Sequence, residues 1–275
     1  MKIGFIGVGN LASAVLSGCI RSGKFTGSDF LVYDVFPGKT EESGRKFGTA
    51  AAQSAQQVAS SCDVVFVAVK PKDFAALLSS VGDELRANDP LVVSVAAGLT
   101  MDYLAACLPY EAKIARIMTN LNAAVCGAMT AYTVNGRVET AQKQALDAFC
   151  RAFGDAIELE EGQFSQFGVL AGCVPAFAYQ FVDALARAGV QMGLRKDLAL
   201  RIAAQTVLGS AQVAAESDAH PYALIDRVCT PAGTTIEGIM ALDAHGFTNA
   251  VHKAVLASYE KDQAIQKEKE KSIQK

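Results

Sequence analysis

Gly7, Gly9 and Ala12 stand near the start of the chain in the spacing GxGxxA. That spacing suits the holding of a pyrophosphate. Gly7 permits a tight turn, Gly9 lets a phosphate approach bare backbone, and Ala12 keeps the following helix close to the preceding strand. The flanking residues supply the strand and the helix. Ile3, Phe5 and Ile6 form a short apolar run before the turn, and Leu11, Val15, Gly18 and Cys19 follow at helical spacing. Strand, glycine turn and helix in that order predict a dinucleotide site, with the phosphates at the N-terminal N–H groups of the helix. The competing reading is an ordinary strand-to-helix turn.

An acid in the right place supports the dinucleotide. Phe30, Leu31, Val32, Tyr33 and Asp34 read as a second strand ending in a carboxylate, about twenty residues beyond the glycine turn. Bidentate bonding of Asp34 to the adenosine ribose would favour NADH and repel a 2′-phosphate. Asp34 could instead simply start a turn, and Lys39 nearby could reach a phosphate, so NADPH stays open.

A second loop carries hydroxyls. Thr230, Pro231, Ala232, Gly233, Thr234 and Thr235 precede Ile236, Ile239 and Met240, which resume helical spacing. One reading is a helix cap, with Thr234 or Thr235 capping its own helix. The other is an anion site, with backbone N–H groups holding a small carboxylate and one hydroxyl left for the substrate. The residues alone do not separate them.

Composition narrows the class of function. At 275 residues with 51% hydrophobic content the chain can bury a full core. The net charge of -3 and the lack of a basic run exclude nucleic acid as an expected partner. The alternating charges at 267–271 read as a solvated helix end. A first strand beginning at Lys2 leaves no room for a leader segment, and no uninterrupted apolar run reaches the roughly eighteen residues of a membrane span. No membrane partner is expected. Seven scattered cysteines fit reduced thiols in the cytoplasm. Three histidines, His220, His245 and His252, offer no metal-ligand spacing, so no metal is expected.

The elements that must position these residues follow from periodicity. Residues 63–69, 90–97 and 113–118 read as buried strands, with helices at 74–85 and 101–108 between them. Residues 128–134 and 156–159 read as further edge strands, separated by a helix at 138–153. Alternating strands and helices predict an α/β fold with a parallel sheet. After residue 161 no strand pattern remains. Residues 164–188 and 199–215 are helical periods rich in Ala, Gly and Ser, suited to close helix packing. The helical part is too short to close a substrate cleft alone, and is expected to pack on the mouth of the sheet and on a second subunit.

The chain resembles the Δ1-pyrroline-5-carboxylate reductase family along nearly its whole length. The matching pieces are GFIGVGNLA at the start, AVKP at 68–71, SVAAG at 94–98 and CTPAGTTIEG at 229–238. The last is specific, whereas the others are shared with many β-hydroxyacid-dehydrogenase-like folds. The resemblance implies a Rossmann-like NAD(P)-binding domain, residues 1–161, followed by an all-helical substrate and dimerisation domain, residues 162–275. It implies NAD(P)H-dependent reduction of a cyclic imine to L-proline in a homodimer or larger homo-oligomer. Ile6, Gly7, Val8, Gly9, Asn10 and Leu11 would then hold the pyrophosphate. Ala68, Val69, Lys70 and Pro71 would line the ribose and nicotinamide side, with Ala96, Ala97 and Gly98 under the nicotinamide. Thr230, Gly233, Thr234 and Thr235 would cradle the substrate carboxylate and ring nitrogen, with the Thr235 hydroxyl at the imine nitrogen as the catalytic group.

Two segments depart from the family pattern. Where the family reads MPNTP, this chain has Met118, Thr119, Asn120, Leu121 and Asn122. Where it reads SGSGPAY, this chain has Ala171, Gly172, Cys173, Val174, Pro175, Ala176 and Phe177. Both flank the substrate pocket in the family. A reductase of another cyclic imine, or a non-catalytic nucleotide-binding protein, are the alternatives. A β-hydroxyacid dehydrogenase would need a lysine on the first long helix of the second domain, and none occurs between Lys143 and Lys196.

Overall fold

The computed structural model describes residues 1–273, and side chains as far as residue 266. The chain divides into two compact units, Met1–Gly172 and Cys173–Ile273.

The first unit is one eight-stranded sheet with helices on both faces. Its strands are β1 (Ile3–Ile6), β2 (Phe30–Tyr33), β3 (Ala50–Ala51), β4 (Val64–Val67), β5 (Leu91–Ser94), β6 (Lys113–Met118), β7 (Ala128–Val134) and β8 (Gly154–Glu158). They lie in the order β3-β2-β1-β4-β5-β6-β7-β8. Every pairing is parallel except β6 with β7. The order reverses direction between β1 and β4, the switch point at which doubly wound sheets bind ligands beyond their strand C-termini.

Side-chain alternation along the strands builds two cores. Phe5 and Phe66 turn to the face covered by α1 (Asn10–Arg21) and α7 (Thr140–Cys150). Their rings stack at 4.8 Å, and Phe66 lies 4.8 Å from Phe149 of α7. Ile6, Val65 and Val67 turn to the other face. There they meet α3 (Ala55–Ser61), α4 (Pro71–Ser80), α5 (Gly82–Asn88) and α6 (Met101–Ala106). Truncating a ring such as Phe66 to alanine would cost about 3–5 kcal/mol. Gly18 on α1 lets the helix approach closely, because a Cβ there would lie 2.1 Å from the Ala123 carbonyl oxygen.

Several elements differ from the sequence reading. The helix expected over 74–85 is two helices, α4 and α5, parted at Val81, which leaves helical geometry at φ -119 and ψ 9. Val81 is β-branched and Gly82 a poor helix former, and the break buries Val81 completely. A helix, α2 (Pro37–Phe47), was not expected, because its two buried residues are the polar Thr40 and Ser43 and it carries no apolar period. β7 is an interior strand between β6 and β8, not an edge.

The second unit is helical: α9 (Val174–Gln191), α10 (Lys196–Glu216), α11 (Pro221–Val228), α12 (Thr234–Ala244) and α13 (Phe247–Ile273). The helical period expected over 164–188 is interrupted. A short helix, α8 (Phe164–Gly168), passes into a π-helical turn, Val169–Cys173, before α9 begins. Pro175 explains the interruption: it has no N–H to give, so the regular ladder cannot run through it. The 267–271 charge run falls within α13, with its side chains outside the described residues.

The second unit buries little of its own apolar surface. Among the described residues its buried cluster is Ala186, Ala199 and Ala203, while Phe181, Leu185, Leu198, Ile202, Leu208 and Leu256 are exposed. The segments Glu161–Gln191 and Lys196–Glu216 are long and apolar enough to cross a membrane by length and composition alone. Both contain polar residues, so neither is the uninterrupted apolar run sought in the sequence.

Candidate active site

The first unit gathers its candidate residues at the C-terminal ends of β2, β1, β4 and β5. Gly7 follows β1 and is required by the fold itself. Its φ is +98, and a Cβ there would lie 2.6 Å from the Ala68 carbonyl oxygen. Its N–H donates to the Tyr33 carbonyl at 2.8 Å, and the Ala68 N–H donates to the Ile6 carbonyl at 2.8 Å. The turns after β1 and β4 therefore lie against each other.

Gly9 is different. It is the N-cap of α1 at φ -80 and ψ -172, a conformation open to any residue. A Cβ there would meet nothing within 4 Å among the described residues. The fold gives no reason for glycine at this position, and space for a group from outside the chain does. No side chain caps α1, so the N–H groups of its first turn are directed at that space. No acid lies in that turn to repel an anion. These features fit a dinucleotide pyrophosphate.

Asp34 closes the turn from the β2 side. Its Oδ2 accepts from the Val8 N–H at 2.8 Å, and its Oδ1 accepts from the Phe36 N–H at 3.0 Å. It is buried, with Lys39 Nζ 3.8 Å away. The carboxylate thus starts a turn and braces the glycine loop together. With one bond to each oxygen it keeps lone pairs for further donors. After β5, the Ala96 N–H donates to Ser94 Oγ at 3.3 Å, and Gly98 sits at φ +72.

In the second unit, Thr230, Gly233, Thr234 and Thr235 form the head of α12. Gly233 is the N-cap, and its N–H donates to the Thr230 carbonyl at 3.0 Å. No side chain caps this helix. Thr234 and Thr235 are its first two residues, so the reading in which one of them caps it does not hold. Ala232 takes a positive φ of 57 to turn the chain into the loop. Thr230 and Thr234 are exposed and Thr235 is half-buried.

Three residues with no role assigned from sequence stand out. Asn120 is buried, its Nδ2 donates to the Ala171 carbonyl at 2.8 Å, and its Oδ1 accepts from the Asn122 N–H at 3.1 Å. It therefore joins the two segments that depart from the family pattern. Arg116, buried in β6, pairs with Glu161 at 2.7 Å. A lone arginine in the apolar strand KIARIM was the available signal.

A pyrroline-5-carboxylate reductase of Escherichia coli (strain K12) is 40% identical over 266 residues, covering 97% of this chain and 98% of that protein. The chain belongs to the pyrroline-5-carboxylate reductase family. Residues 161–265 match the family profile described as pyrroline-5-carboxylate reductase dimerisation. Residues 2–98 match one described as NADP oxidoreductase, coenzyme F420-dependent. The solved reductase of Coxiella burnetii is similar with a TM-score of 0.87 at 30% identity, covering 96% of this chain and 97% of that one. A Plasmodium falciparum pyrroline carboxylate reductase with NADP bound is similar with a TM-score of 0.84 at 27% identity, over 97% of this chain and 98% of that one. The Rossmann-like sheet followed by helices is thus the family's architecture.

Proposed function

We propose that this chain reduces the C=N bond of 1-pyrroline-5-carboxylate to give L-proline, in proline biosynthesis, with NAD(P)H as reductant. The observation that carries the reading is the head of α12, where the family-specific TPAGTT loop starts a helix that no side chain caps. Residues 1–161 are the dinucleotide part and 162–275 the substrate and dimerisation part.

The bound dinucleotide supplies the hydride. The chain supplies binding and orientation. N–H groups of Gly9, Asn10 and Leu11 hold the pyrophosphate, and Asp34 takes the adenosine ribose, favouring NADH. Ala68, Val69, Lys70 and Pro71 line the ribose and nicotinamide side, and Ala96, Ala97 and Gly98 the nicotinamide. In the second unit, the Thr230–Thr234 backbone and hydroxyls hold the substrate carboxylate, and the Thr235 hydroxyl holds the ring nitrogen. An imine nitrogen is basic enough to take its proton from solvent, so the site needs alignment more than a titrating group.

The family profile for dimerisation and the uncovered apolar helices of the second unit support a homodimer at least. The seven free cysteines are consistent with a cytoplasmic enzyme. The test is steady-state oxidation of NADH and NADPH with pyrroline-5-carboxylate, with light scattering on the same sample. Turnover by a dimer or larger assembly is expected. No turnover despite dinucleotide binding would favour another imine or a non-catalytic role, and a fully active monomer at micromolar concentration would overturn the assembly.

A further inference from the structure

We propose that Glu161, held by Arg116, is a positioning residue that fixes the loop after β5 for hydride transfer. The proposal rests on the reading that Ala96, Ala97 and Gly98 of this loop lie against the nicotinamide.

Arg116 sits in β6 opposite Ser94 of β5 and is 5% exposed. A buried guanidinium is tolerated only when paired, and a buried ion pair often adds no more stability than apolar residues would. Here the pair has a second task. Glu161 Oε1 accepts from Arg116 Nη1 at 2.7 Å and from the Met101 backbone N–H at 2.7 Å. Arg116 is itself fixed from behind, with its guanidinium carbon 4.5 Å from the centre of the Phe164 ring. Phe164 is fully buried.

Met101 is the first residue of α6, so its N–H has no partner within the helix. It lies three residues beyond Gly98. At the other end of the loop Ser94 Oγ accepts from the Ala96 N–H. The loop over residues 95–100 is therefore pinned at both ends, by a strand hydroxyl and by a carboxylate 60 residues away in sequence. Releasing the Glu161 end loosens the part that contains Gly98, a glycine at φ +72 that can change conformation at little steric cost.

Proline at Met101 tests this without touching the ion pair. It deletes the N–H at the first helical position, where proline is best tolerated. Thr100 before it already has the extended geometry proline demands, at φ -85 and ψ 161. Met101→Ala is the control, since it removes the same side chain and keeps the N–H. In the full-length protein, kcat of Met101→Pro should fall about tenfold below that of Met101→Ala, the scale expected of a small misplacement. NADH affinity should agree within about threefold, because the phosphate turn is untouched. Amide exchange at residues 96–98 without NADH should be several-fold faster in the proline variant, as local opening becomes easier. Glu161→Gln keeps an acceptor for the Met101 N–H and should recover most of the kcat lost in Glu161→Ala. Equal kcat in the two Met101 variants, or equal losses in the two Glu161 variants, would overturn the positioning role. Ala97→Phe tests the underlying reading separately. It should lower kcat with loop exchange unchanged, and wild-type turnover by that variant would show that the loop does not face the nicotinamide, ending the proposal with it.

Discussion

Gly9 and Gly233 cap two helices with nearly the same backbone geometry, φ -80 and ψ -172 against φ -83 and ψ 167. Neither helix start has a side-chain cap. Their surroundings are opposite. A Cβ on Gly9 would meet nothing within 4 Å among the described residues, while one on Gly233 would lie 2.3 Å from Thr230 Oγ1 and 3.0 Å from the Thr230 carbonyl oxygen. At the uncapped start of α1, a glycine the protein does not need for itself leaves room for a ligand. A glycine demanded by its own neighbour is a folding constraint, and the proposed reading leaves recognition in that loop to the hydroxyls beside it. On the proposed reading, one loop binds with bare backbone and the other with threonines.

Valine at the two positions should therefore give crossed results. Gly9→Val is expected to lose roughly two orders of magnitude of NADH affinity, about 3 kcal/mol, with a melting temperature near wild type. Gly233→Val is expected to keep NADH affinity and to destabilise the protein by about 1–3 kcal/mol through overpacking. Fluorescence titration and thermal melts on both variants check this. Unchanged NADH affinity in Gly9→Val would remove the first loop from the phosphate site.

A smaller effect concerns the brace behind the first loop. Asp34→Ser should narrow a preference for NADH over NADPH, because the residual lone pairs of a carboxylate take ribose hydroxyls and repel a phosphate. Steady-state kinetics with both cofactors measures the ratio. A wild-type protein that strongly prefers NADPH would contradict the ribose role and shift attention to Lys39, 3.8 Å from Asp34.

The smallest effect lies under the same loop's strand. Cys62 is buried against Gly4, and burial pushes its thiol up to about 11. Below the ordinary thiol range both folded and unfolded chains hold the proton and its contribution to stability is complete. As pH rises from about 9 to 11 the unfolded chain ionises first, so that contribution is lost. The melting temperature should fall across that window, and less steeply in Cys62→Ala. An unchanged slope in the variant would show that this thiol titrates alike in the folded and unfolded chains.

The sheet and the first loop were legible because their signals are local. Apolar runs such as residues 64–67 and the spacing of Gly7, Gly9 and Ala12 specify strand, turn and helix within a few residues. α2 escaped because its buried residues, Thr40 and Ser43, are polar. The π-turn at Val169–Cys173 escaped because the apolar period runs through it unbroken and only Pro175 hints at a break. Asn120 and the Arg116–Glu161 pair act across 51 and 45 residues of sequence, and no pattern within a window shows such a contact. The hydroxyl loop could be found, but cap and ligand site look alike in sequence. The structure removes the threonine cap, because Gly233 is the N-cap.

Thr235→Ala, measured for kinetics, NADH affinity and melting temperature on one preparation, tests the central claim most directly. If its hydroxyl orients the imine nitrogen, losing one hydrogen bond to a charged group should cost roughly 1.5–3 kcal/mol. That is about a ten- to hundredfold loss of kcat/KM. NADH affinity and melting temperature should stay near wild type, because no side chain caps α12. Normal kinetics with a lowered melting temperature would contradict the account and leave Thr235 a structural residue.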